Sequence, residues 1–104
     1  MIHAATRGEG RASLLAAIDA RQPFRTSGAL RGDDRSTCTS SPQSGMLDGE
    51  DYIRFIRDSI EITYWVTSYN TPIYWVTTDG TAYRVKQKFS ATTSKHQGLC
   101  PANH

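Results

Sequence analysis

Residues 60–97 read IEITYWVTSYNTPIYWVTTDGTAYRVKQKFSATTSKHQ, and this stretch decides the fold. It holds both tryptophans and four of the five tyrosines. Ile60, Ile62, Tyr64 and Val66 alternate with Glu61, Thr63, Trp65 and Thr67. That period in β-branched and aromatic residues predicts a strand. Ser68-Tyr69-Asn70 reads as a connection. Thr71 to Thr78 predicts a second strand, with Pro72 at its start or on an edge because proline brings no N–H to a ladder. Asp79-Gly80 carries the signature of a type I′ hairpin turn, in which both central residues need positive φ. With Thr78 opposite Thr81, Val76 faces Tyr83, Tyr74 faces Val85, Trp75 faces Arg84 and Ile73 faces Lys86. Tyr74, Val76, Tyr83 and Val85 then make a core face. The other face carries Trp75/Arg84 and Ile73/Lys86, where cations lie over apolar partners. Phe89 closes the third strand, and Ser94 or Thr93 caps a short helical turn that Gly98 ends.

Working back toward the N-terminus, residues 46–59 read MLDGEDYIRFIRDS. Tyr52, Phe55, Ile56 and Ser59 sit at helical spacing, and Asp48 with Asp51 resembles a capping pair. Ile53 and Phe55 also alternate, and the direct run into Ile60 leaves little room for a turn. The segment therefore reads as a strand or extended arm, with a helix as the alternative. Residues 33–45, DDRSTCTSSPQSG, hold no large apolar residue and predict a Ser/Thr-rich flexible linker. Phe24 and Leu30 tuck against the core while the backbone turns at Gly28 and Gly32. Residues 10–21, GRASLLAAIDAR, predict a helix: Leu14, Leu15 and Ile18 form a narrow apolar stripe among alanines, and Pro23 ends it. So short a helix is not stable alone and must dock on the sheet or on a partner. Residues 1–9 are polar and expected to fray.

The expected architecture is α+β: a small antiparallel three- to four-stranded β-meander with one N-terminal helix and a short C-terminal helical turn. The expected divisions are an N-terminal segment 1–32 with its helix at about 10–21, the linker 33–45, a β-meander core 46–99 and a tail 100–104. With 104 residues, one domain is the prior. A net charge of +2 permits nucleic-acid contact without arguing for it, since a strong case needs clustered Lys and Arg. Cys38 and Cys100 have no metal-ligand spacing. A disulfide between them is allowed by parity, but without a signal peptide two free thiols in a reducing cytoplasm are the expectation. No run reaches the length of a membrane span. No cofactor and no metal are expected.

His96 is the single histidine inside the organised region, flanked by Thr92, Thr93, Ser94, Lys95 and Gln97. It is the one candidate for acid–base chemistry or for facing a phosphate. A capped turn whose His and Gln hydrogen-bond the backbone is the simpler reading. Glu61, Asp79 and Tyr83 are partners for it only by elimination. The aromatics interleave with Arg84, Lys86 and Lys88. They make either a stacking platform on a basic face or a protein-binding face; a thin core filled with large rings is the plain alternative. Alternation sends Tyr64 and Trp65 to opposite faces, and Tyr74 and Trp75 likewise. An aromatic face is thus left over, which implies a partner, a homodimer or a covering helix. The candidate binding residues are Trp65, Tyr69, Trp75, Arg84, Lys86, Lys88, Lys95 and His96.

SYNTPIYWV at Ser68–Val76, followed by VKQKFSATTSKHQG at Val85–Gly98, resembles small uncharacterised actinobacterial and actinobacteriophage proteins that share a "SYxTPIxW…TTSxHQ" pattern. RQPFRTSGALRG at Arg21–Gly32 is similar to the "PF…GAL.G" segment that precedes it there. This chain departs from the pattern at Phe89, which replaces an aromatic hydroxyl, and in the basic run Lys86-Gln87-Lys88. The resemblance implies a phage or mobile-element origin and a cytoplasmic setting, and it supplies no mechanism. Three function classes follow. The first is a non-catalytic binding module acting on a host or phage protein through the aromatic/basic sheet face. The second is a nucleic-acid-binding module using Trp75, Arg84, Lys86, Lys88, Lys95 and His96. The third, least favoured, is a phosphodiester-acting enzyme built on His96, Lys95 and Tyr83.

Overall fold

Two hairpins at the centre of the chain set the sheet. The computed structural model describes residues 2, 3, 10–38, 40 and 42–103. Its strands are β1 (Ile2–His3), β2 (Phe24–Arg25), β3 (Leu30–Asp34), β4 (Ile62–Ser68), β5 (Thr71–Thr77) and β6 (Ala82–Arg84). Its helices are α1 (Gly10–Asp19), α2 (Gly49–Asp58), which runs on into a 3-10 turn at Ser59–Glu61, and α3 (Ala91–Gly98). The strands lie in chain order, β2 to β6 antiparallel, with β1 added parallel to β2. The fold is α+β with an antiparallel sheet, as the sequence predicts, but the sheet is larger than three or four strands. The extra strands come from the N-terminal third. Ile2–His3, expected to fray, pair with Phe24–Arg25; residues 4–9, also in that expectation, lie outside the described residues. A parallel pair needs a crossover, and α1 supplies it. Asp33 and Asp34, assigned above to a linker, end β3 opposite Trp65 and Tyr64.

Local chemistry explains both hairpins and corrects their turns. Tyr69 and Asn70 have φ of 51° and 66°, and Ser68 pairs with Thr71, so the two-residue type I′ turn sits here. At Asp79-Gly80 only Gly80 has positive φ, 86°. Thr77 accepts from the Gly80 N–H and donates to the Thr81 carbonyl, both at 2.9 Å. That is a three-residue loop with a glycine bulge. The Asp79 carboxylate fixes it by accepting from Thr81 N at 2.9 Å and Thr77 Oγ1 at 2.7 Å. The longer loop moves the register by one residue, which turns every side chain over. Trp75 therefore faces Tyr83, Tyr74 faces Arg84 and Val76 faces Ala82. The predicted Trp75/Arg84 pair does not form. Two further register shifts, at Ile62/Tyr64 and Val66/Thr67, break the simple alternation. Ile62 packs with the tryptophans rather than with Tyr64, and Ile73 joins Tyr74 and Val76. Pro72 stands near the start of β5, before its pairing with β6 begins.

Both sheet faces are covered. On the first, Ala17 and Ile18 of α1 pack with Phe24, Leu30, Tyr64, Val66, Tyr74 and Val76, joined by Leu99 and Cys100. Gly32, expected to turn the backbone, lies inside β3: a Cβ there would come within 2.5 Å of the Phe24 ring, so its bareness admits that ring. The helix α1 ends with Gln22 N–H bonded to the Ala17 carbonyl and Arg21 N–H to that of Ile18, with Arg21 at φ 56°. This closing motif usually uses glycine. On the second face, Leu47, Phe55, Ile62, Trp65, Trp75, Tyr83 and Val85 form the other core. The segment that reads as a strand or arm is the helix α2, started by Asp48, whose side chain accepts from Gly49 N. It lies over the tryptophans, so the left-over aromatic face has a covering helix, and that helix is not α1. Cys38 packs on this second core and Cys100 in the first; both thiols are free and on opposite sides of the sheet.

Candidate functional site

The sequence candidates separate into four places. Trp65 and Trp75 are 2% and 0% exposed. The Trp75 indole lies edge-on to Phe55 at 5.3 Å, tilts against Tyr83 at 5.2 Å, and donates to Asp58 Oδ2 at 2.9 Å. Arg35 lies over Trp65 at 5.2 Å. These rings are core, not a contact surface. Tyr69 stands exposed on the β4–β5 turn, where positive φ points it away from the sheet's packing. Arg84, Lys86 and Lys88 come together beside α3.

The helix α3 begins earlier than the sequence suggests. Its cap is Ser90, extended at ψ 165°, whose Oγ accepts from Thr93 N at 3.3 Å. Thr93 and Ser94, predicted as caps, sit inside the first turns. That placement aims Thr93 and His96 at β4. His96 Nδ1 lies 2.8 Å from Ser68 Oγ, which lies 3.2 Å from Thr93 Oγ1, and Ser90 Oγ donates to Thr93 Oγ1 at 3.3 Å. Burial pulls the His96 imidazole below its ordinary range and so favours its neutral form. With Nδ1 as acceptor, the hydroxyls order into one chain: Ser90 to Thr93 to Ser68 to His96. A serine against a histidine is the start of a nucleophilic pair. Such a pair needs a third group to orient the base and a space for substrate. No carboxylate touches His96 among its described hydrogen bonds, and Ser68, at 1% exposed, does not line the neighbouring cleft. The chain of hydroxyls is a polar seam that fastens α3 to the sheet.

On the other flank of α3 a cleft of about 470 Å³ opens. Arg84, Val85, Lys86, Gln87 and Lys88 form one wall; Ser94, Gln97 and Gly98 of α3 form the second; Ala102 and Asn103 close one end. Three lining residues are cations and none is a carboxylate. Beyond β6 the wall keeps one ladder bond to β5, from Val85 N–H to the Ile73 carbonyl at 2.9 Å, and side chains hold the rest of its backbone. Asn103 donates to the Arg84 carbonyl at 2.8 Å and accepts from its N–H at 2.7 Å, imitating a strand across the edge. Gln97 Nε2 donates to the carbonyls of Val85 and Gln87, each at 3.0 Å. The buried carboxylate of Asp51 accepts from Lys86 N, Gln87 N and the Tyr83 hydroxyl at 3.1, 2.7 and 2.6 Å. The first residues of α2 thus hold the cleft wall from behind. Arg84 Nη1 donates to the Cys100 carbonyl at 3.2 Å, and Lys86 Nζ meets Glu50 at 3.4 Å. Lys88 and Lys95 are exposed. Sequence reasoning gathered the cations but missed Asn103 and Asp51, which position them; a short tail and one acid within an acidic helix start carry no local signal.

Among the described residues no group of three His, Cys, Asp or Glu side chains gathers as a metal site, and no helix is long and apolar enough to cross a membrane. No curated protein and no solved structure matches this chain. A family model matches residues 30–100, which run from β3 to the end of α3 and include α2, the polar seam and both walls of the cleft. The chain belongs to the family of unknown function DUF8033.

Proposed function

We propose that this protein is a small non-catalytic binding module that receives an acidic segment of a partner protein in the cleft between Arg84–Lys88 and α3. The observation that carries the reading is the lining: three cations with Gln87, Ser94, Gln97 and Asn103, and no carboxylate. Carboxylates entering there meet charge-assisted donors. The wall is already fixed by Asn103, Gln97 and Asp51, so little ordering cost is added on binding. The partner in this reading is a host or phage protein met in the cytoplasm. Contact through exposed tryptophans is not part of it, because both are core.

Nucleic acid is the second reading, since the same cations suit phosphates. No aromatic ring lines the cleft for bases to stack on, and a net charge of +2 gives little sequence-independent attraction. Fluorescence anisotropy with a labelled Asp/Glu-rich peptide and a single-stranded oligonucleotide of equal charge, at two salt concentrations, separates the two. We expect the peptide to bind more tightly. Lys86→Gln with Lys88→Gln should weaken it roughly tenfold, from two exposed contacts of up to about 1 kcal/mol each. Preference for the oligonucleotide with a steep salt dependence transfers the cleft to the nucleic-acid reading. Binding of neither, or binding that ignores both lysines, removes it.

A further inference from the structure

The helix α2 buries the wrong face for its composition. Toward the sheet it turns Asp51, Arg54, Phe55 and Asp58, of which Phe55 is the one large apolar side chain. Outward it turns Tyr52, Ile53 and Ile56, and Ile60 follows on the 3-10 turn. Ile53 is 68% exposed and Ile60 92%. Together these four present apolar area on the order of 400 Å², at the upper end of what a monomer leaves bare without using it. Gly49, Ile53, Ile56 and Ile60 follow the four-three-four spacing of a coiled-coil seam. On one flank of that seam stand Glu50 and Arg57, with side chains 74% and 67% exposed.

We infer that α2 is a homodimer interface, in which two copies pair antiparallel about a two-fold axis. The pattern is self-complementary in one register. Setting Ile53 opposite Ile56 of the second copy also sets Ile60 opposite the second copy's Gly49. A Cβ on Gly49 would meet nothing within 4 Å in the monomer, so an isoleucine from the second copy finds open space there. In an antiparallel pair each flank meets the same flank reversed. Glu50 therefore meets Arg57 of the second copy, and Arg57 meets its Glu50, two opposite-charge pairs in the register the isoleucines choose. The helix dipoles run in opposition as well. In the monomer these groups have only loose partners: Lys86 lies 3.4 Å from Glu50, and Asp58 lies 3.6 Å from Arg57. A parallel pair would instead set this flank against the opposite one, where Tyr52 and Ser59 stand, and leave both charges without an opposite partner across the seam. Two patches with their rims bury roughly 1,000 Å², near the lower limit for a specific interface, so the dimer belongs to the weak, transient class.

Sedimentation velocity across a wide concentration series tests this directly. The expected result is a mass that rises from the 11.5 kDa monomer toward twice that value. Ile53→Glu and Ile60→Glu, both at exposed positions, should each weaken association at least tenfold while circular dichroism and melting of the monomer are kept. Glu50→Arg alone and Arg57→Glu alone each bring like charges together and should weaken it about tenfold. Glu50→Arg with Arg57→Glu should restore it to within a few-fold. A mass that stays monomeric at every concentration overturns the inference. So does a dimer indifferent to Ile53→Glu and Ile60→Glu, or a double charge swap as weak as the single ones.

Discussion

Replacing Phe55 by alanine tests whether α2 closes the tryptophan face. Phe55 is the helix's one large apolar anchor in that core, and its ring meets Trp75 edge-on at 5.3 Å. Truncating a buried phenylalanine costs about 3–5 kcal/mol through lost transfer energy and the cavity left behind. The polar anchors cannot replace it. The bonds from Tyr83 to Asp51 and from Trp75 to Asp58 depend on Phe55 holding the helix at its present height. A loss of about 4 kcal/mol is a large share of the roughly 5–15 kcal/mol that keeps a domain folded. At a urea slope of about 1–2 kcal/mol/M, the unfolding midpoint should fall by roughly 2–4 M. The tryptophans report independently: emission at zero denaturant should shift to the red as Trp65 and Trp75 meet water. Ile53→Ala, on the outer face of the same helix, should move the midpoint little at protein concentrations too low for self-association. A Phe55→Ala protein with an unchanged midpoint and unshifted emission refutes the reasoning, because the tryptophans would then owe their burial to something other than α2.

The polar seam predicts a pH dependence. The folded pKa of His96 is lowered by burial, so between that value and the unfolded value near 6.5 the unfolded chain binds more protons. The stability tied to neutral His96 is fully present above about pH 6.5 and is lost as pH falls through the folded value. His96→Gln should flatten the melting-temperature profile in that mildly acidic window; an unchanged profile removes the seam as its source. The turns make a second pair of expectations. Asn70→Gly should raise stability by about 0.5–1 kcal/mol, since glycine takes positive φ without strain. Gly80→Ala should lower it by about 1 kcal/mol. Thermal melts check both, and a stabilising Gly80→Ala would contradict the bulged loop.

The strands β4 and β5 were legible because the hydrophobic period is a local property, and so was α1, whose apolar stripe and terminating Pro23 lie within a few turns. The cations of the cleft were legible for the same reason: Arg84, Lys86 and Lys88 alternate on one extended segment. What failed was what local pattern does not encode. A hairpin register hangs on one residue of loop length, and Asp79-Gly80 fits both a two-residue and a three-residue loop. The carboxylate of Asp79, bonded to Thr77 and Thr81, selects the longer one. The helix α2 was ambiguous because its apolar residues point outward. The sheet beneath it carries an indole N–H and a phenol that need acceptors, so the helix buries Asp58 and Asp51 there instead.

By itself the sequence determined an α+β domain with an antiparallel sheet, because alternation and turn residues act through the nearest neighbours along the chain. Only the tertiary structure decided which aromatics are core, which helix covers them, and that Asn103 and Asp51 fix the basic wall from opposite sides. Those outcomes rest on hydrogen bonds between residues 17 to 36 positions apart, whose formation depends on the whole sheet being in place.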